Sequence, residues 1–122
     1  MSFYIYQIKS CRIIPQTAMS PMIIYNVTVN VEEVIHEDWL QWMKNVHIPD
    51  VMSKGIFREN HIFKVLADEG TGSHTYAIQY LCDSMEAYEA YRDNFAPALQ
   101  EDVKKRYGDK FVAFRTLLEV IR

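Results

Sequence analysis

From Met22 onward the hydrophobic period of the chain switches repeatedly between two residues and about 3.6. Residues 22–31 alternate, with Ile23, Tyr25, Val27, Val29 and Val31 on one side and Asn26, Thr28 and Asn30 on the other, which predicts a half-buried strand. From Ile35 the period becomes helical. Ile35, Trp39, Trp42 and Val46 form one stripe, widened by Leu40 and Met43, while Glu37, Asp38, Gln41, Lys44 and Asn45 point to water. Pro49 suits the first position of a second short helical piece and Gly55 its left-handed cap, so a bend is predicted near His47 and Ile48. Residues 56–65 read as a strand, 70–73 (GTGS) as a turn, and 74–82 as a strand that sets Tyr76, Ile78 and Tyr80 against Thr75, Ala77 and Gln79. Asp83 or Ser84 caps the next helix. That helix repeats Tyr88, Tyr91 and Phe95, and beyond Pro97 Leu99, Val103 and Tyr107, before Gly108 stops it. Residues 110–121 complete the set as a last strand.

The order βαββαβ is the ferredoxin-like split βαβ pattern, an α+β fold with a four-stranded antiparallel sheet and two helices on one face. Right-handed crossovers put the first and third strands at the centre and the fourth beside the first. The alternation places Tyr25, Val27 and Val29, then Tyr76, Ile78 and Tyr80, then Val112, Phe114 and Leu118 under the helices. The opposite face is then expected to carry Asn26, Thr28, Gln79, Arg115 and Glu119 among Ile24, Ala77, Leu81, Phe111, Ala113 and Leu117. A face half aliphatic and half polar is poorly suited to water, so a homodimer through it is expected. Arg115 has two readings there. It pairs with an acidic group such as Glu119 of the partner subunit and fixes the register, or it lines a small cavity for an anionic or carbonyl ligand with Asn26, Thr28 and Gln79.

Composition narrows the function more than it defines it. With 122 residues, 49% apolar and 24% charged, residues 22–122 suit one domain, and the whole chain is long enough to bury about 65% of its unfolded surface. The net charge is −3 and the basic residues are scattered, which leaves no footprint for nucleic acid or an anionic membrane. Lys104, Lys105 and Arg106 are the one basic run, placed where cations complement a helix C-terminus. In residues 1–21, Lys9, Ser10 and Arg12 interrupt the apolar stretch before a signal peptide or membrane span forms. That segment reads as an N-terminal extension, with Met22 an alternative start, or else as an edge strand. Cys11 and Cys82 make neither a disulfide framework nor a zinc spacing, which suits a cytoplasmic setting.

The histidines supply little chemistry by spacing alone. His36 and His47 are three helical turns apart, roughly 16 Å, too far to share a metal. His61 and His74 have no ligand spacing beside them, so no metal site and no cofactor is expected. His47 stands at the predicted bend beside Asp50, which can orient its imidazole as a weak base or proton relay, although solvation at a helix edge is the plainer reading. With Arg115 it is the candidate catalytic group.

The residues also carry a resemblance. Tyr25-Asn26-Val27-Thr28, Trp39 with Trp42-Met43, His47 to Val51, Gly55 with Phe57, Ala96-Pro97-Ala98-Leu99 and Phe111 to Thr116 are similar to a bacterial family catalogued as domain of unknown function 4286. That family lies in the dimeric α+β barrel superfamily, and the resemblance covers residues 22–121. It implies the fold and the dimer and brings no catalytic residue. Haem-degrading members of the superfamily have an asparagine on the first strand, a tryptophan on the third and a histidine on the second helix. Only the asparagine is matched here, by Asn26 or Asn30. The functional expectation is a small homodimeric binding or regulatory module for a metabolite. The alternative is a cofactor-independent monooxygenase or isomerase acting on an aromatic or carbonyl substrate, with His47, Tyr76, Tyr80 or Arg115 supplying the orienting polar group or a base.

Overall fold

The computed structural model describes residues 20–66 and 72–122. The expectations placed on residues 1–19, and the first half of the turn expected at 70–73, lie outside them. Strand β1 (Ile23–Glu32) leads through a 3-10 turn (Glu33–Ile35) into α1 (His36–Trp42), a π-helical turn (Met43–His47) and α2 (Ile48–Met52). Then follow β2 (Glu59–Lys64), β3 (Ser73–Cys82), α3 (Met85–Asn94), α4 (Ala96–Tyr107) and β4 (Phe111–Glu119). The sheet order is β2-β3-β1-β4 and every pairing is antiparallel. Among the described residues no helix is long and apolar enough to cross a membrane.

The core lies between one sheet face and the helices. Tyr25, Val29, Tyr76, Ile78 and Tyr80 from the sheet meet Trp39, Met43, Val51, Tyr91 and Leu99. Ser84 caps α3 by accepting the Ala87 amide at 3.1 Å, as its residue type favours. Gly108, at φ 61°, turns the chain out of α4 in the left-handed region that glycine occupies without a Cβ clash.

The first helix does not break at Pro49. It runs through with right-handed dihedrals, and the Ile48 amide donates to the Met43 carbonyl, five residues back. This π turn shifts the buried stripe by one residue. Trp39 and Met43 are followed inward by Ile48 and Val51, whereas Val46, expected in the stripe, is 49% exposed.

Strand β4 has the opposite facing to that expected. Val27 pairs with Arg115 and Val29 with Ala113, and directly paired residues share a face. Phe111, Ala113, Arg115 and Leu117 therefore lie on the helix side and Val112, Phe114, Thr116 and Leu118 on the open side. Both phases of this strand are mostly apolar, so alternation alone does not choose between them. Packing does: Phe111 and Ala113 rest against the core, while Phe114 is 64% exposed.

Candidate functional site

Between the helix layer and the sheet lies a narrow cavity of about 60 Å³ lined by Tyr25, Met43, His47, Tyr80, Tyr91 and Arg115, among others. Tyr25 lines it because β1 is a central strand and Tyr25 is on its helix-facing side. Its ring lies 5.3 to 6.1 Å from those of Tyr88, Tyr91, Tyr80 and Phe57. Burial pushes the Tyr80 and Tyr91 phenols well above their ordinary range, so both remain protonated donors at neutral pH. Arg115 reaches in from the edge strand and donates Nε–H to the Tyr25 hydroxyl at 3.1 Å. Among the described residues no carboxylate lies within ion-pair distance of it.

Outside the cavity, and sharing Arg115, Phe111, Ala113 and Gln100 with it, an open groove of about 580 Å³ runs between α4 and β4. Pro97, Glu101, Lys104, Gly108 and Asp109 complete its lining.

The expected grouping of Arg115 with Asn26, Thr28 and Gln79 is not formed, because the reversed facing of β4 puts the sheet between them. On the open face Gln79 donates to Asn26 Oδ1 at 3.2 Å and Asn26 donates to Thr28 Oγ1 at 3.1 Å. Asn30 donates to Ser73 and Thr75 at 3.0 and 2.9 Å. These side chains make a polar ladder along the two central strands, bordered by exposed Phe63, Val112, Phe114 and Leu118.

A second cluster sits at the start of α1. His74 Nε2 is 2.5 Å from Glu33 Oε1, and His36 Nε2 is 2.7 Å from the Tyr76 hydroxyl. The two imidazoles stack with centroids 3.6 Å apart and planes 10° apart. Glu33 and His74 are 41 positions apart, so no local spacing announces the group. The hint available in the sequence is the strand register: β1 ends opposite the beginning of β3, which brings the turn after Glu32 over His74. The Glu33 carboxyl is held below its usual range by the hydrogen bond from His74.

Residues 22–121 match the family described as domain of unknown function DUF4286. The chain belongs to this family. No curated protein sequence matches it. Among solved structures it is similar to a dimeric ferredoxin-like protein from an uncultured marine organism, at 13% identity and TM-score 0.58, covering 84% of this chain and 98% of that one. It is also similar to an EthD-like protein from Ralstonia eutropha, at 15% identity and TM-score 0.62, with 84% and 95% covered. A candidate antibiotic biosynthesis monooxygenase from Bacillus cereus superposes at 13% identity and TM-score 0.58, with 84% and 96% covered. At these identities the likeness extends to the fold.

His47 of this DUF4286 chain turns towards the cavity and stacks on Trp42, with centroids 5.3 Å apart. Its expected partner Asp50 instead pairs with Lys54 at 3.7 Å. Burial lowers the pKa of His47, the fields of Asp50 and Asp102 oppose that shift, and Arg115 adds to it. A histidine whose folded pKa is depressed binds fewer protons folded than unfolded. Its contribution is therefore complete above the ordinary value near 6.5 and is lost as pH falls towards the lowered one. Urea denaturation at pH 7.5 and 5.5 is expected to show lower stability at 5.5, with the difference reduced in His47→Gln. An unchanged difference in the variant would assign the acid sensitivity to other groups.

Proposed function

We propose that this DUF4286 protein is a homodimeric binding module for a small monocarboxylate, anchored by Arg115 at the mouth of the α4–β4 groove. The observation that carries this reading is the guanidinium itself. Its Nε–H is held by Tyr25, which fixes the side chain, and among the described residues its terminal N–H groups meet no carboxylate. A fixed guanidinium fork suits one bidentate carboxylate. Lys104 adds a second cation on the rim, while Glu101 and Asp109 oppose a multiply charged anion. Phe111, Ala113 and Pro97 offer apolar surface for the rest of the ligand.

The inner cavity of about 60 Å³ holds about two waters. An oxygenase or isomerase on an aromatic substrate needs an enclosed site of roughly 300 Å³ or more, so the geometry favours binding at the groove. The dimer reading is supported by the open sheet face, where Phe114 and Val112 are exposed beside a polar ladder satisfied within the chain. The fold neighbour described as dimeric agrees with it.

Benzoate and its neutral isostere benzamide separate charge recognition from apolar burial. In ligand-detected NMR, benzoate is expected to bind, benzamide to bind at least tenfold more weakly, and Arg115→Gln to lose the difference. Equal binding of the two probes, or benzoate binding untouched by Arg115→Gln, would refute the anchor.

A further inference from the structure

We propose that Glu33, His36 and His74 form a His2Glu site for a divalent transition metal of the zinc class. One donor atom from each of the three lies within 4.8 Å of the other two. Two imidazoles and a carboxylate are a donor set that zinc accepts, with solvent completing the coordination. The positions come from three places that the fold fixes: Glu33 from the 3-10 turn, His36 from the first residue of α1, and His74 from the start of β3.

The surrounding contacts supply the outer support that such a site needs. His36 Nε2 is engaged by the Tyr76 hydroxyl at 2.7 Å, which holds the ring and leaves Nδ1 for a metal when Nε2 carries the proton. His74 Nε2 faces Glu33 Oε1, and Lys64 Nζ donates to His74 Nδ1 from 3.3 Å. In this arrangement the proton shared by His74 and Glu33 occupies the space between two ligand atoms, where a cation would replace it. The proton on Nε2 then moves to Nδ1, which no longer accepts from Lys64, and the ammonium is released.

One rearrangement is required. The parallel rings, 10° apart, do not both point a lone pair at one ion, because a ligand's metal lies in its ring plane. His36 is buried and tethered to Tyr76, so His74, with its side chain 24% exposed, is the ring that turns. Lys64 is thus a built-in competitor for the site, and its removal is expected to tighten binding. A purely structural hook between the helix start and the hairpin has no reason to show that response.

The test is titration of the chelator-treated full chain with Zn2+ by calorimetry and with Co2+ by visible absorption. One equivalent per chain is expected, with the d–d bands of imidazole-ligated Co2+. His74→Ala and Glu33→Gln are expected to weaken binding at least tenfold, Lys64→Met to tighten it severalfold, and His61→Ala, at an exposed histidine elsewhere on the sheet, to change nothing. His74→Ala also keeps the test independent of His36, whose replacement disturbs a buried hydrogen bond. Absence of Zn2+ binding at 100 µM, on the order of a weak site, or wild-type affinity in His74→Ala, would overturn the proposal.

Discussion

Trp39→Ala is expected to remove about 3–5 kcal/mol of folding stability, the usual cost of deleting a large aromatic from a packed core. Trp39 is 1% exposed and lies against Tyr76 of the central strand β3, ring centroids 5.3 Å apart. The indole occupies space that neither the helix nor the sheet can close, since Tyr76 is tied to His36 and β3 is paired on both sides. For a domain whose total stability is about 5–15 kcal/mol, the loss leaves the variant marginal. Urea denaturation followed by circular dichroism measures it. A loss below about 1 kcal/mol would mean that the helix layer is not seated on the sheet as described.

Phe114→Glu carries the second large effect, on assembly. Phe114 stands out from the open face, 64% exposed in the single chain, with Val112 and Leu118 beside it. In the proposed dimer a second copy seated on this face buries that ring, and a glutamate in its place brings a charge into an apolar contact without a partner. The dimer is expected to weaken by about 3 kcal/mol, roughly a hundredfold in dissociation constant. Sedimentation velocity should show the wild type as a dimer and the variant as a monomer, with unchanged circular dichroism. A monomeric wild type, or a dimeric variant, would remove the open face as the interface.

The elements and their order were legible because each has a clean period and clear stops: alternation in Ile23 to Val31, Ser84 before α3, Gly108 after α4. The facing of β4 was not. A strand with Phe111, Ala113 and Leu117 on one side and Val112, Phe114 and Leu118 on the other has no polar phase to orient it, and a single arginine is as easily placed outward as inward. That one parity moved Arg115 from the open face to the mouth of the groove, and with it the candidate site. Asn26, Thr28 and Gln79 were assigned to the correct face, but their partners turned out to be one another. The Glu33, His36 and His74 cluster depends on how β1 ends opposite β3, a long-range register that local spacing does not encode.

A π turn is what an α-helix becomes when it gains one residue and neither flank is free to rotate. Here Trp39 anchors one flank and Ile48 and Val51 the other, so the surplus is absorbed within Met43–His47. Any alignment of this chain with a relative whose helix is α throughout must open its gap inside those five positions. A gap placed elsewhere would pair His47 with a residue that points in another direction.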